Sequence, residues 1–172
     1  MASLGHIAVG LGAGRWWATA RPASAMLGLC ALSMLPDIDV VGMALGVPYG
    51  APWGHRGATH SLAMAVVLGL GFALLARGRG GRRFGATALL AIAVAASHGL
   101  LDAMTDGGRG VALLWPLSTH RYFLPWRPIP VAPIGVGFLS GEGLQVAGWE
   151  LVVFLPLLAY ALWPRGRYVT RP

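Results

Sequence analysis

Residues 84–104, FGATALLAIAVAASHGLLDAM, run for 21 residues without one basic side chain. Wound as an α-helix, that length measures about 31 Å, the thickness of a bilayer's hydrocarbon core. Four more apolar stretches, at about 2–14, 23–36, 61–76 and 146–163, have the same character. Hydrophobic residues make up 56% of the chain and charged ones 11%, against roughly a quarter charged in a soluble domain. So few charges cannot cover a water-soluble globule, and so much apolar content excludes a disordered chain. The sequence therefore predicts one all-α domain over 1–172, a polytopic membrane protein of about four to five transmembrane or re-entrant helices. The second stretch is expected to end at Pro36, because the residue before a proline disfavours helical geometry. The first, with its GHIAVGLGAG core, is either a short span or a re-entrant segment. Ala18-Thr19-Ala20 resembles a signal-peptide cleavage site, but no basic residue precedes the apolar run and Arg15 follows it, which argues against cleavage.

If all five stretches cross, the loops alternate sides. All 13 basic residues are arginine, and Arg15, Arg21, Arg77, Arg79, Arg82, Arg83, Arg165, Arg167 and Arg171 fall on one side. The positive-inside rule makes that side cytoplasmic, with the C-terminus, in a bacterial-type inner membrane. Segments 37–60 and 105–145 then face outward, to the periplasm, together with Arg56, Arg109, Arg121 and Arg127. The seven tryptophans lie near predicted span ends, as interfacial anchors do. Loop 105–145, with Pro116, Pro125, Pro128, Pro130 and Pro133, is expected to form an irregular outer-face cap. The net charge of +7 follows from this topology, and no nucleic-acid partner is expected.

Absent residue types exclude mechanisms. Without lysine there is no Walker-A loop, Schiff base or Ser-Lys dyad; without asparagine, no Cys-His-Asn triad or N-glycosylation. Cys30 is a lone thiol in an apolar run and reads as structural. GVGFLSGEG near the cap's end has neither a preceding strand nor a following lysine, so it is no nucleotide loop.

The rare polar residues are placed informatively. Asp37 and Asp39 end the second stretch in LPDID, His55 and His60 precede the third in HRGATHS, His98 and Asp102 end the fourth in SHGLLD, and His6 begins the first. Under the arginine-derived topology all of them converge at the outward end of the bundle. His98 and Asp102, four apart, share one helical face, which Thr105 continues. Asp37 and Asp39 would point to one side if the chain after Pro36 is extended. Such mixed nitrogen and oxygen donors suit one or two ions of zinc, or of manganese or iron, better than calcium. Ionisable groups at membrane depth are costly and mark function by default. Arg56 and Arg121, away from the cytoplasmic clusters, are candidates to grip a substrate's phosphate oxygens, with Thr59 beside them. His120 and Asp106 read as loop residues, and Glu142 and Glu150 as capping or interfacial groups of the last stretch.

The series Gly5-His6, LPDID, HRGATHS, SHGLLDAMT and a loop containing Trp115-Pro116 resembles the YdjM-like family over about residues 5–127. That family is described as LexA-binding, inner-membrane-associated, metal-dependent hydrolases. The resemblance implies an integral membrane hydrolase with Asp37, Asp39, His55, His60, His98 and Asp102, and His6 at the Gly-His position, as metal ligands. A more distant likeness is to zinc-dependent phospholipase C enzymes, and it rests on fold-level analogy.

The function expected from the residues is hydrolysis of an ester, foremost a phosphoester of a membrane lipid, by a metal-activated water. Asp39 would be the general base and Arg56 would stabilise developing charge. A metal or proton transporter and a scaffold with a structural metal are the alternatives. A transporter needs polar groups along a path to both faces, whereas here they gather at one end. The topology makes a direct prediction. Cysteines introduced in 40–54 should react with an impermeant maleimide added from the outer side; labelling from the cytoplasmic side alone inverts the orientation.

Overall fold

A computed structural model describes residues 3–17, 22–77 and 84–164. Among these residues the secondary structure is helical, with no strand. The helices are α1 (Leu4–Trp17), α2 (Pro22–Met34), α3 (Asp39–Ala44), α4 (Leu62–Leu75), α5 (Phe84–Ala103) and α6 (Gly141–Leu162). Three stretches are long and apolar enough to cross a membrane: Ala23–Ala44, Phe84–Ala103 and Gly141–Leu162. The 14-residue α4 is apolar but shorter. Arg21, Arg79, Arg82, Arg83, Arg165, Arg167 and Arg171, and the Ala18-Thr19-Ala20 sequence, lie outside the described residues.

One boundary differs from the sequence expectation. The chain does not leave helical geometry at Pro36. It tightens into a 3-10 turn over Leu35–Ile38 and continues into α3. Pro36 sits at the start of that turn, where its missing N–H removes no bond the helix needs. Asp37 and Asp39 are thus two residues apart on a tight helical path and face different neighbours. The last helix begins earlier than its apolar run, at Gly141, because the Ser140 hydroxyl caps it by accepting from the Gly143 N–H.

Packing runs α6–α1–α2–α5–α4. α1 owes its central place to glycine. A Cβ on Gly10 or Gly14 would run into the backbone of Cys30 or Met26 on α2, and one on Gly12 into Leu157 of α6. Where lipid gives no hydrophobic drive between helices, such close approach of small residues is what holds them together. α1 and α6 run parallel: near its start the Gly5 N–H donates to Glu150 (3.2 Å), and near its end Arg15 donates to the Ala161 carbonyl (3.1 Å). The apolar core lies where α2, α4 and α5 meet, around Leu29, Leu32, Ala65, Ala91, Val94 and Ala95. Large apolar side chains such as Val67, Leu89, Val152 and Leu162 stand exposed on the bundle's outside, as lipid-facing residues do.

Residues 105–140 form the expected irregular cap. It is tied by two isolated bridges, Thr105 to Ile129 and Val111 to Tyr122, and by one 3-10 turn over Gly135–Leu139. The glycine contacts can be checked. Gly10→Ala and Gly14→Ala should each destabilise the protein by about 1–3 kcal/mol through overpacking, seen as a lower Tm in detergent. Gly71→Ala, where a Cβ meets nothing within 4 Å, should leave the Tm unchanged or raise it.

Candidate metal centre

Three helix ends and one loop meet at a single end of the bundle. The start of α1 brings His6, the turn after α2 brings Asp37 and Asp39, the loop before α4 brings His55, Arg56, Thr59 and His60, and the last turns of α5 bring His98 and Asp102. All are buried except Asp37 and Thr59, which are partly exposed; the Asp37 side chain is 24% exposed.

At the centre, His98 Nε2 and His60 Nε2 lie 3.0 Å apart. Each ring is oriented from its far side. His98 Nδ1 donates to the Ser33 carbonyl at 2.7 Å. His60 Nδ1 faces Asp39 Oδ2 at 3.2 Å and Thr59 Oγ1 at 3.0 Å. With their Nδ1 protons committed, both rings present Nε2 to the same space. Two carboxylate oxygens border it. Asp37 Oδ1 is 3.5 Å from His60 Nε2 and 3.4 Å from His98 Nε2, and Asp102 Oδ2 is 3.3 and 3.9 Å from them. Donor atoms from Asp37, His60, His98 and Asp102 all fall within 4.8 Å of one another, and so do those of Asp39, His55 and His60. Two buried imidazole edges cannot face each other at this distance unless a proton or a cation lies between them. Burial disfavours charge on His60, but hydrogen bonds to Asp102, Asp37 and Asp39 outweigh it and push its pKa up to about 10. A cation binding here would replace that proton. Two nitrogen and two carboxylate oxygen donors suit a transition metal such as zinc.

The local sequence explains the geometry. Gly99 has no Cβ, and one built there would meet the His60 carbonyl oxygen, so the glycine beside His98 lets α5 approach the His60 loop. Arg56 takes φ 60°, a left-handed conformation uncommon for a non-glycine residue. That turn aims its backbone N–H at Asp39 Oδ2 (3.2 Å) while its side chain reaches Asp102, with Nε 3.3 Å from Oδ2 and Nη2 3.4 Å from Oδ1.

The sequence reading assigns Arg56, Thr59 and Arg121 to substrate; in the structure each makes hydrogen bonds inside the protein. Arg56 is 2% exposed and also donates to Thr105 Oγ1 and the Gly107 carbonyl. Thr59 donates to Asp39 Oδ2 at 2.7 Å. Arg121 donates to the carbonyls of His55, Tyr49 and Ala51, which braces the loop carrying the histidines. Asp39, the expected base, accepts from His55 Nδ1 at 2.8 Å.

His6 lies outside both donor groups. Its ring stacks on His98 with centroids 3.7 Å apart, and its Nε2 is 3.7 Å from Asp102 Oδ1. His120 stands exposed in the cap. Glu150, expected to cap or border the last stretch, instead reaches across to another helix. It is fully buried in α6 and accepts the Gly5 N–H, anchoring the turn that carries His6. The signal for this was its position ten residues into an apolar helix, where a carboxylate needs a partner.

The family described as YdjM inner membrane protein matches residues 1–168. The Inner membrane protein YbcI of Escherichia coli (strain K12) is 44% identical over 145 residues, which cover 79% of this chain and 81% of that protein. No solved structure matches. The Arg56–Asp102 pair yields a stability prediction. Arg56→Met should lower stability by about 3–5 kcal/mol by stranding a buried carboxylate, read as a large fall in Tm, and Arg56→Lys should recover part of it.

Proposed function

Because the chain belongs to the YdjM inner membrane protein family, we propose that it is a metal-dependent hydrolase embedded in the inner membrane, acting on an ester of a membrane lipid, foremost a phosphoester. The observation that carries this reading is the pair of Nε2 atoms 3.0 Å apart, bordered by Asp37 and Asp102, at one end of an apolar bundle. A bound divalent ion, with zinc favoured and manganese or iron possible ligand chemistries, would polarise the ester and activate a water for attack.

The chain's own residues supply the rest. Arg56 holds Asp102 in place. Asp39 accepts the His55 Nδ1 proton, which leaves His55 Nε2 as a proton acceptor oriented by a carboxylate. Asp37 carries the exposed edge of the site. Ile38, Val41 and Leu45, next to it in sequence, are 58% exposed or more, so the rim is apolar. A rim of this kind suits a substrate whose tails stay in the bilayer while its ester reaches the metal. The orientation that fits the arginine distribution puts the site at the periplasmic face.

A transporter fits less well. Beneath His98 and Ser33 the core is closed by Leu29, Leu32, Ala91, Val94 and Ala95, with no polar relay among these residues toward the other face. A structural metal in a scaffold would call for a closed site, whereas Asp37 is open on one side.

The test is lipid profiling. A strain lacking the protein and a strain carrying His98→Ala should accumulate the same lipid, and the wild-type copy should clear it. Unchanged lipids in both strains, with the protein inserted and metal-loaded, would overturn a lipid substrate.

A further inference from the structure

We propose that the cluster binds one divalent cation, through Asp37, His60, His98 and Asp102, and that Asp39 is a positioning residue rather than a ligand. This rests on the metal-dependent reading above and partitions its residues.

The argument is the placement of donors. An ionised carboxylate offers about four acceptor sites, two on each oxygen. Asp39 meets four donors: His55 Nδ1 at 2.8 Å on Oδ1, and Thr59 Oγ1 at 2.7 Å, the Arg56 backbone N–H at 3.2 Å and His60 Nδ1 at 3.2 Å on Oδ2. Both of its oxygens therefore carry a donor at hydrogen-bond length, whereas Asp37 and Asp102 stand 3.3–3.9 Å from the Nε2 atoms they border. The second group of donors, Asp39, His55 and His60, is thus joined by hydrogen bonds, although its atoms lie close enough to hold an ion. The four-residue group is different. Its two imidazoles turn bare edges toward one another at 3.0 Å, with their other nitrogens already oriented by Ser33 and by Asp39. A carboxylate on the back of a ligating imidazole is the usual device for aiming it.

The experiment uses the full chain purified in detergent, loaded with zinc or cobalt and dialysed. Elemental analysis should give one equivalent. The cobalt form should show the visible absorption of a four-coordinate ion. Asp39→Asn should keep one equivalent and the same cobalt band shape, with affinity reduced about 10–100-fold. His55→Gln, which retains an amide donor for Asp39 and leaves the carboxylate untouched, should also keep one equivalent. Asp37→Asn and His98→Ala should lose the ion. Two equivalents in the wild type, falling to one in His55→Gln or Asp39→Asn, would overturn the partition while leaving the hydrolase reading intact. A folded wild type that takes up neither metal would overturn the metal-dependent reading itself.

Discussion

Taking charge out of water among apolar helices is costly unless opposite charges and hydrogen bonds offset it, and the rest of this bundle is arranged around the polar cluster that meets this cost. Three carboxylates, four imidazoles and a guanidinium lie within one end of the helices. Several are held by a specific partner: His98 by the Ser33 carbonyl, His55 and His60 by Asp39, and Asp102 by Arg56. The unusual local features serve this matching. The left-handed Arg56 directs one residue's backbone and side chain at two different aspartates. The bare face of Gly99 lets the His60 loop settle against α5. The 3-10 turn at Pro36 sends Asp37 and Asp39 to separate tasks.

The bundle divides along its axis into two kinds of packing. At the polar end, hydrogen bonds and ion pairs set positions. Toward the other end, small residues and aliphatic side chains close α2, α4 and α5 into a seal, and glycines draw α1 onto α2 and α6. The His and Asp cluster thus lies at one end of the bundle with apolar packing beneath it. The cap over 105–140 has little regular structure of its own, and Arg121 binds it to the histidine loop through carbonyls on either side of Trp53.

Much of this was legible beforehand in residues such as His98 and Asp102, whose spacing of four on an apolar helix specifies a shared face. The topology that follows from arginines and apolar runs also puts LPDID, HRGATHS and SHGLLD at one end. Other features were not legible. A proline marks where a regular helix is interrupted without saying whether a tighter helical turn will carry the chain past it, because that depends on what the following residues can pack against. Arg56 and Arg121 have the chemistry of phosphate binding in any sequence; only the structure shows the hydrogen bonds they make to Thr105 and to the carbonyls of the histidine loop. Glu150 looked like an interfacial residue because its partner, the Gly5 N–H, is 145 positions away.

By itself the sequence determined the helical membrane class, the number of apolar stretches and the set of polar residues that must meet, because hydrophobic length and the cost of buried charge act on each segment separately. The tertiary structure alone decided how those residues divide the work. Which nitrogen of His60 faces which carboxylate, which aspartate is filled with donors and which keeps an open edge are relations between segments. They exist only once α1, α2, α5 and the loop before α4 have been brought together.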